Sequence, residues 1–196
     1  TDPEGQTVSF SLSGTGSENF SVDRSGNISL VNSLDYETAT SYTLALNASD
    51  GVNTTTSELI ITVDDVNEAP SLSNSLAASS FAENVSTGIT IATASASDPE
   101  SQTITYSLSG TGSGNFAVDS FGNITLAAGL DYETATSYSL TLSASDGVNT
   151  TTNTLAISIS DINEAPSLSN SLAASSFAEN VSAGTTIATA SATDPE

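Results

Sequence analysis

Apolar and polar residues alternate along most of the chain. In Tyr138-Ser139-Leu140-Thr141-Leu142-Ser143-Ala144, the Tyr, both Leu and the Ala fall on one side of an extended backbone, and Ser and Thr on the other. Tyr42, Leu44, Leu46 and Ala48 repeat the pattern earlier in the chain. Leu155, Ile157 and Ile159 alternate with Ala156, Ser158 and Ser160; Leu59, Ile61 and Val63 form a similar row, with Ile60 facing outward. No segment carries the 3.6-residue stripe of an amphipathic helix. The runs are rich in Ser, Thr and β-branched residues and are bounded by Gly, Asn or Asp. Within 70–165 the pattern predicts seven strands, near 79–81, 90–96, 103–108, 116–118, 123–126, 138–145 and 154–160. Seven short alternating strands in about 95 residues predict an all-β, Greek-key β-sandwich.

The pattern returns with a period of 96 residues. Asp2-Pro3-Glu4 recurs as Asp98-Pro99-Glu100 and as Asp194-Pro195-Glu196, and the string 34–40 recurs as 130–136. About three quarters of positions are identical between 1–100 and 97–196. This period suits tandem globular domains joined end to end rather than a solenoid. The reading divides the chain into 1–69, a repeat without its first two strands; 70–165, a complete repeat; and 166–196, the first strands of a further one. Both ends fall at the same phase, which reads as a window of a longer tandem protein. Differences between repeats preserve size and polarity: Val8 becomes Ile104, Phe10 becomes Tyr106, Val63 becomes Ile159. Phe20 and Phe116, Leu30 and Leu126, and Tyr42 and Tyr138 are expected core anchors. The Gly-rich stretch 109–114 reads as a flexible loop; without a following Lys and helix it is no phosphate cradle.

Charge narrows the function. Twenty-three acids face the single Arg24, with no Lys and no His, for a net charge of −22. Such a surface excludes ordinary nucleic-acid binding and anionic membranes, and makes a cation the natural partner. No cysteine is present, so neither disulfides nor thiolate metal sites form. A small domain lacking disulfides draws stability from elsewhere, bound metal being one source. No run of 18 apolar residues exists that would span a membrane.

Eighteen of the 23 acids occupy five recurring motifs. Asp-Pro-Glu holds Asp2, Glu4, Asp98, Glu100, Asp194 and Glu196. Asp-Tyr-Glu holds Asp35, Glu37, Asp131 and Glu133. Ser-Asp-Gly holds Asp50 and Asp146, Asp-x-Asn-Glu holds Asp65, Glu68, Asp161 and Glu164, and Ala-Glu-Asn holds Glu83 and Glu179. Nearly all lie at strand ends or turns, so they converge where one repeat meets the next. Two carboxylates about 4 Å apart repel by roughly 4 kcal/mol at an effective dielectric near 20. Ca²⁺, a hard cation taking six to eight oxygens in flexible geometry, answers that repulsion better than octahedral Mg²⁺. The absence of His and Cys removes most zinc and copper options. Asp23 and Asp119 read as turn formers ahead of Gly26 and Gly122. The Asn-x-Ser/Thr triplets, such as those at Asn27 and Asn84, read as chance in so Ser/Thr-rich a chain.

These motifs together resemble the cadherin repeat, over the whole chain. Asp161-Ile162-Asn163-Glu164-Ala165-Pro166 is similar to the family's linker Asp-x-Asn-Asp-Asn-x-Pro, and Ala178-Glu179-Asn180 to its Pro-Glu-Asn. Leu130-Asp131-Tyr132-Glu133, Ala144-Ser145-Asp146-Gly147, Phe116-Ala117-Val118-Asp119 and Asp98-Pro99-Glu100 follow family motifs in family order. The chain departs at Glu68 and Glu164, where the family has Asp, at Ala69 and Ala165, where it has Asn, and at Glu100 in Asp-x-Asp. The resemblance implies immunoglobulin-like sandwiches with calcium between consecutive repeats. A first junction would draw on Asp35, Glu37, Asp65, Asn67 and Glu68, with Asp98, Glu100 and Asp146. A second would draw on Glu83, Asp131, Glu133, Asp161, Asn163 and Glu164, with Asp194 and Glu196. Asp2, Glu4 and Asp50 would face a preceding repeat, and Glu179 repeats the motif of Glu83.

The resulting expectation is a calcium-stiffened structural or adhesive module, an extender in an extracellular or cell-surface protein. In style the chain resembles bacterial secreted repeat adhesins. Its partners would be adjacent repeats and identical chains. A second reading is a head-to-tail filament subunit, the strands of 167–196 completing the head of another copy. A third is calcium-dependent carbohydrate binding, for which Phe121 is the exposed aromatic candidate. An enzyme is not expected: no His, Cys or Lys is present to serve as base or nucleophile partner.

Overall fold

The structure, a computed structural model, describes residues 5–195. It divides into two compact units. Unit 1 comprises the residues up to Glu68 with Pro99–Gln102; unit 2 comprises Ala69–Asp98 and the residues from Thr103 onward.

Unit 1 contains β1 (Ser9–Ser13), β2 (Phe20–Val22), β3 (Ile28–Leu30), β4 (Ser41–Ser49) and β5 (Thr54–Thr62). Strands β1, β4 and β5 form one antiparallel sheet, while β2 and β3 form a separate hairpin. Leu44, Phe20 and Tyr42 make the buried centre, the two rings meeting edge to face at 5.3 Å.

Unit 2 contains β6 (Ser71–Leu76), β7 (Phe81–Ala82), β8 (Thr90–Ser97), β9 (Thr105–Ser109), β10 (Phe116–Val118), β11 (Asn123–Leu126), β12 (Ser137–Ser145) and β13 (Thr150–Ser160). A hairpin of β14 (Ser167–Leu172) and β15 (Ala188–Thr193) follows. The sheets run β10-β11-β8-β6 and β7-β13-β12-β9, antiparallel apart from the parallel pair β7–β13. Alternation dictates the layers: Leu140, Leu142 and Ala144 of β12 and Leu155 and Ile157 of β13 turn inward to meet Ile91, Ile124 and Leu126. Phe116 and Tyr138 repeat the edge-to-face pair, at 5.2 Å.

Three expectations change. Ser71–Leu76 is a strand where none was expected, so residues 70–165 hold eight strands, and the strand expected at 79–81 is the short β7 at Phe81–Ala82. Leu72 and Leu76 supply its inward face, and its backbone pairs along β8. The loop at 109–114 is not a loose connection. It closes into a 3₁₀ turn at Ser113–Asn115, with Ser113 and Asn115 N–H donating to the Gly110 and Gly112 carbonyls. Leu30, expected in the core, is exposed, whereas its repeat partner Leu126 is buried.

The outer face of β9, β12 and β13 is uncharged. Thr105, Ser107 and Ser109 line up with Ser145, Ser143 and Thr141, and these with Thr150, Thr152 and Thr154. Ser137, Ser139, Ala156 and Ser158 complete it.

Candidate metal centres

Glu83 follows β7 directly and is the one charged residue among the buried ones of the described residues. Its Oε1 accepts the Ile162 N–H and its Oε2 the Tyr132 N–H, each at 2.7 Å. One carboxylate thereby ties down both the Asp131 loop and the segment after β13. Charge-assisted bonds of this kind are roughly twice as strong as neutral ones. Around Glu83 stand two groups whose carboxylate oxygens lie within 4.8 Å of one another: Glu83, Asp131 and Glu133, and Glu83, Asp161 and Glu164. A cleft of about 420 Å³ opens onto Glu83, Asp131, Glu133 and Glu164. Glu164 Oε2 is shielded from solvent. Asn163 Nδ2 donates to the Glu164 carbonyl at 2.7 Å. Asp131 is held by Thr134, whose N–H and Oγ1–H donate to Oδ1 and Oδ2 at 2.9 Å each.

Unit 1 gathers Glu37, Asp65 and Glu100 within the same 4.8 Å. Glu68 N–H donates to Glu100 Oε1 at 3.4 Å. The Glu68 carboxyl is pushed up to about 7 by a side-chain hydrogen bond with Glu100, by lost hydration, and by the charges of Glu100, Glu37 and Asp65. At lower pH the pair therefore holds a proton that relieves part of the repulsion. Gln102 Nε2 donates to Asn67 Oδ1, and Asn67 Nδ2 to the Glu68 carbonyl at 3.0 Å. Asp35 accepts the Thr38 N–H and Oγ1–H at 3.0 Å each, bonds that hold its carboxyl below the usual range.

Other candidates stand outside these groups. Asp50 Oδ1 accepts the Val52 and Asn53 N–H groups, and Asp146 Oδ1 those of Val148 and Asn149, closing the turns between the long strands. The bonds from Asn53 and Val52 lower the Asp50 carboxyl. Asp98 follows β8 directly and is half-buried, with Oδ2 shielded from solvent. Glu179 and Asp194 are exposed. Asp2, Glu4 and Glu196 lie outside the described residues. Asp23 and Asp119 are turn formers, as expected: side-chain and backbone bonds from Asn27 and Asn123 lower both carboxyls. Phe121 is 83% exposed in the Asp119 turn, an element that contributes no carboxylate to the three groups.

Sequence reasoning passed over Thr38 and Thr134, which orient Asp35 and Asp131, and Gln102, which holds Asn67. The signal was present for the threonines: Asp-x-x-Thr is a local side-chain-to-backbone turn. All ligating atoms in the three groups are carboxylate oxygens, with no Lys, Arg or His among them. Such a donor set suits a hard divalent cation. Asp131, Glu133, Asp161 and Glu164 around Glu83 would hold it, and Glu37, Asp65 and Glu100 in unit 1; it would supply the positive charge these acids lack.

A family model for the cadherin domain matches residues 1–64 and 78–160. The chain belongs to the cadherin family. It is 33% identical over 183 residues to mouse Cadherin-related family member 1, covering 84% of this chain and 21% of that protein. It is 30% identical over 199 residues to human Protocadherin Fat 4, covering 94% of this chain and 4% of that protein. The chain thus spans a minor part of these relatives' lengths. Among solved structures, Protocadherin Gamma B2 extracellular cadherin domains 3-6 superpose with a TM-score of 0.64 at 24% identity, over 96% of this chain and 48% of that one, a likeness of fold. The Protocadherin GammaB4 extracellular domain gives 0.59 at 26% identity, over 96% and 32%.

The cadherin β-sandwich is the fold of this chain. As a run of cadherin repeats it belongs to an extracellular or cell-surface protein. No helix among the described residues is long and apolar enough to cross a membrane. The relatives named are animal cadherins; the bacterial style rests on composition alone.

Proposed function

We propose that this cadherin chain is a calcium-stiffened extender, in which Ca²⁺ binds the acid groups at the ends of successive repeats and turns repelling ends into a clamp. The repeats would be 1–69, 70–165 and 166–196. The observation that carries this reading is Glu83: a buried carboxylate, fixed by two backbone N–H groups, shared by two carboxylate clusters with no basic residue in either. A like-charged cluster built around a buried acid is destabilising unless a cation joins it. Extracellular calcium modules typically bind at ~10⁻⁴–10⁻³ M, so the ion would act as a constant of the extracellular medium. The partners this function requires are neighbouring repeats and other cadherin chains.

Small-angle X-ray scattering of the chain in millimolar calcium and in excess chelator tests the reading. A longer, stiffer particle of unchanged mass in calcium is the expected result. Superimposable curves, together with no calorimetric binding of calcium, would overturn it.

A further inference from the structure

Eight Asn-x-Ser/Thr triplets run along the chain. Composition makes them equivalent, and the fold separates them. Asn19, Asn47, Asn123 and Asn149 are half-buried. Three of these side chains have visible work inside the fold. Asn47 Nδ2 donates to Ser13 Oγ at 3.2 Å, Asn123 Nδ2 to Asp119 Oδ2 at 2.8 Å, and Asn19 Oδ1 accepts from Asn32 Nδ2 at 3.2 Å. Asn27 and Asn53 are exposed, yet each Nδ2 is directed at the aspartate of its own turn, Asp23 Oδ2 at 2.7 Å and Asp50 Oδ2 at 3.5 Å.

Asn84 differs from all of these. It is exposed, and its side-chain amide makes no hydrogen bond among the described residues. It sits in the turn that follows β7, where the Val85 N–H donates to the Ala82 carbonyl at 3.0 Å. Ser86, which supplies the hydroxyl of the triplet, is exposed too, in the loop that runs on to β8. Asn84 also stands on the rim of the cleft that opens onto Glu83, so open space adjoins it. Asn180-Val181-Ser182 repeats the triplet in the next Ala-Glu-Asn motif.

A branched oligosaccharide cannot be buried, because its hydroxyls would lose their hydrogen bonds to water. A folded domain carries one where an asparagine amide is unengaged and borders solvent, a condition met by surface loops of secreted proteins. At Asn27 or Asn123 the same attachment would disturb a charge-assisted bond to an aspartate. At Asn84 it disturbs nothing.

We propose that Asn84 is an acceptor for an N-linked oligosaccharide. The donor is an oligosaccharide joined through C1 of its first sugar to a polyprenyl diphosphate. Asn84 Nδ2 attacks that C1 and gives up one proton. The bond from C1 to the diphosphate oxygen breaks, and its electron pair leaves with the diphosphate. The products are the N-glycosidic asparagine and free polyprenyl diphosphate, with no change of oxidation state. The Ser86 hydroxyl, two residues on, is the group by which a transferase orients the amide. Glu83 takes no part, since its two oxygens accept the Tyr132 and Ile162 N–H groups. The assignment therefore stands apart from the calcium reading.

The experiment uses the intact, folded chain in unglycosylated form, incubated with a single-subunit oligosaccharyltransferase and a lipid-linked oligosaccharide. Peptide mass spectrometry after digestion with a Glu-specific protease reads the occupancy of each triplet. The expected result is attachment at Asn84 at least about tenfold faster than at Asn47, Asn123 or Asn149. Synthetic peptides carrying the same triplets supply the intrinsic rates, and the preference for Asn84 should be absent among them. Ser86→Ala should abolish attachment at Asn84, and Ser86→Thr should retain it. Ser86 is exposed, so both variants keep the fold. A folded chain that stays bare at Asn84 while the Asn84 peptide reacts would overturn the proposal. Equal rates at Asn84 and Asn123, a preference already present in the peptides, or attachment that survives Ser86→Ala would overturn it as well.

Discussion

Glu83 and Ile162 stand 79 residues apart in sequence and 2.7 Å apart in space, the carboxylate Oε1 accepting the backbone N–H. With the matching bond from Tyr132, this makes Glu83 a tie between three segments of unit 2. Glu83→Ala leaves two N–H groups without their acceptor in a buried place, each costing about 1–3 kcal/mol. Glu83→Gln keeps one acceptor oxygen and should lose about half as much. Urea unfolding of unit 2 in chelator checks both, and calcium should protect neither variant as it protects the parent.

Glu68 predicts an unusual pH response of the ion-free chain. Its carboxyl is raised above the unfolded value, to about 7, by its bond with Glu100. The folded state therefore binds the proton more tightly than the unfolded state between the ordinary Glu range and pH 7. Its stabilising contribution is present below that range and is lost as pH rises through 7. In chelator, unit 1 should melt at a lower temperature at pH 8 than at pH 5, and Glu68→Gln should flatten the difference. A melting temperature that rises over this interval in the parent would refute the assignment.

Calcium should raise the melting temperature of the chain and magnesium should raise it less. At a hundredfold excess over the dissociation constant, linkage gives about 2.7 kcal/mol. Asp131→Asn removes one carboxylate from the Glu83 group and should weaken calcium binding by tenfold or more, read by calorimetry. Asp119→Asn, which disturbs only a turn, should leave calcium affinity unchanged.

The two leucines of the repeat separate burial from identity. Leu126→Ala opens a cavity in a sealed core and should cost about 2–5 kcal/mol. Leu30→Ala in monomeric chain should change stability by no more than about 0.5 kcal/mol. Hydrogen exchange of each unit's own amides distinguishes the two effects.

Those leucines also mark what was legible from residues alone. Strict alternation revealed Ser137–Ser145, because the face holding Tyr138, Leu140, Leu142 and Ala144 is apolar throughout, whereas β13 was legible only from Thr154 onward, Thr151 and Asn153 breaking its apolar row. The strand at Ser71–Leu76 escaped because only two of its six side chains are large and apolar, and its place is set by pairing with β8. Leu30 was misplaced because burial belongs to the neighbours of a side chain, and identical residues in the two repeats have different ones. Among the acids, membership in a recurring motif pointed to Glu83, Asp131, Glu133, Asp161 and Glu164. It did not show that Asp50 and Asp146 also close turns through Oδ1. Which backbone N–H groups stand near each acid is set by the fold, and composition carries no record of it.

The uncharged flank of β9, β12 and β13 has a separate consequence. Ser and Thr hydroxyls and a single alanine line it, so none of its side chains titrates across the ordinary pH range and none offers an ion pair for salt to screen. In unit 2 the described acids all lie outside the strands, so acid and ionic strength act on it through its loops, whereas in unit 1 Glu58 stands within β5. When cations neutralise those loops, electrostatic repulsion between particles falls away, and their dispersal in water depends on hydration of the Ser and Thr flank.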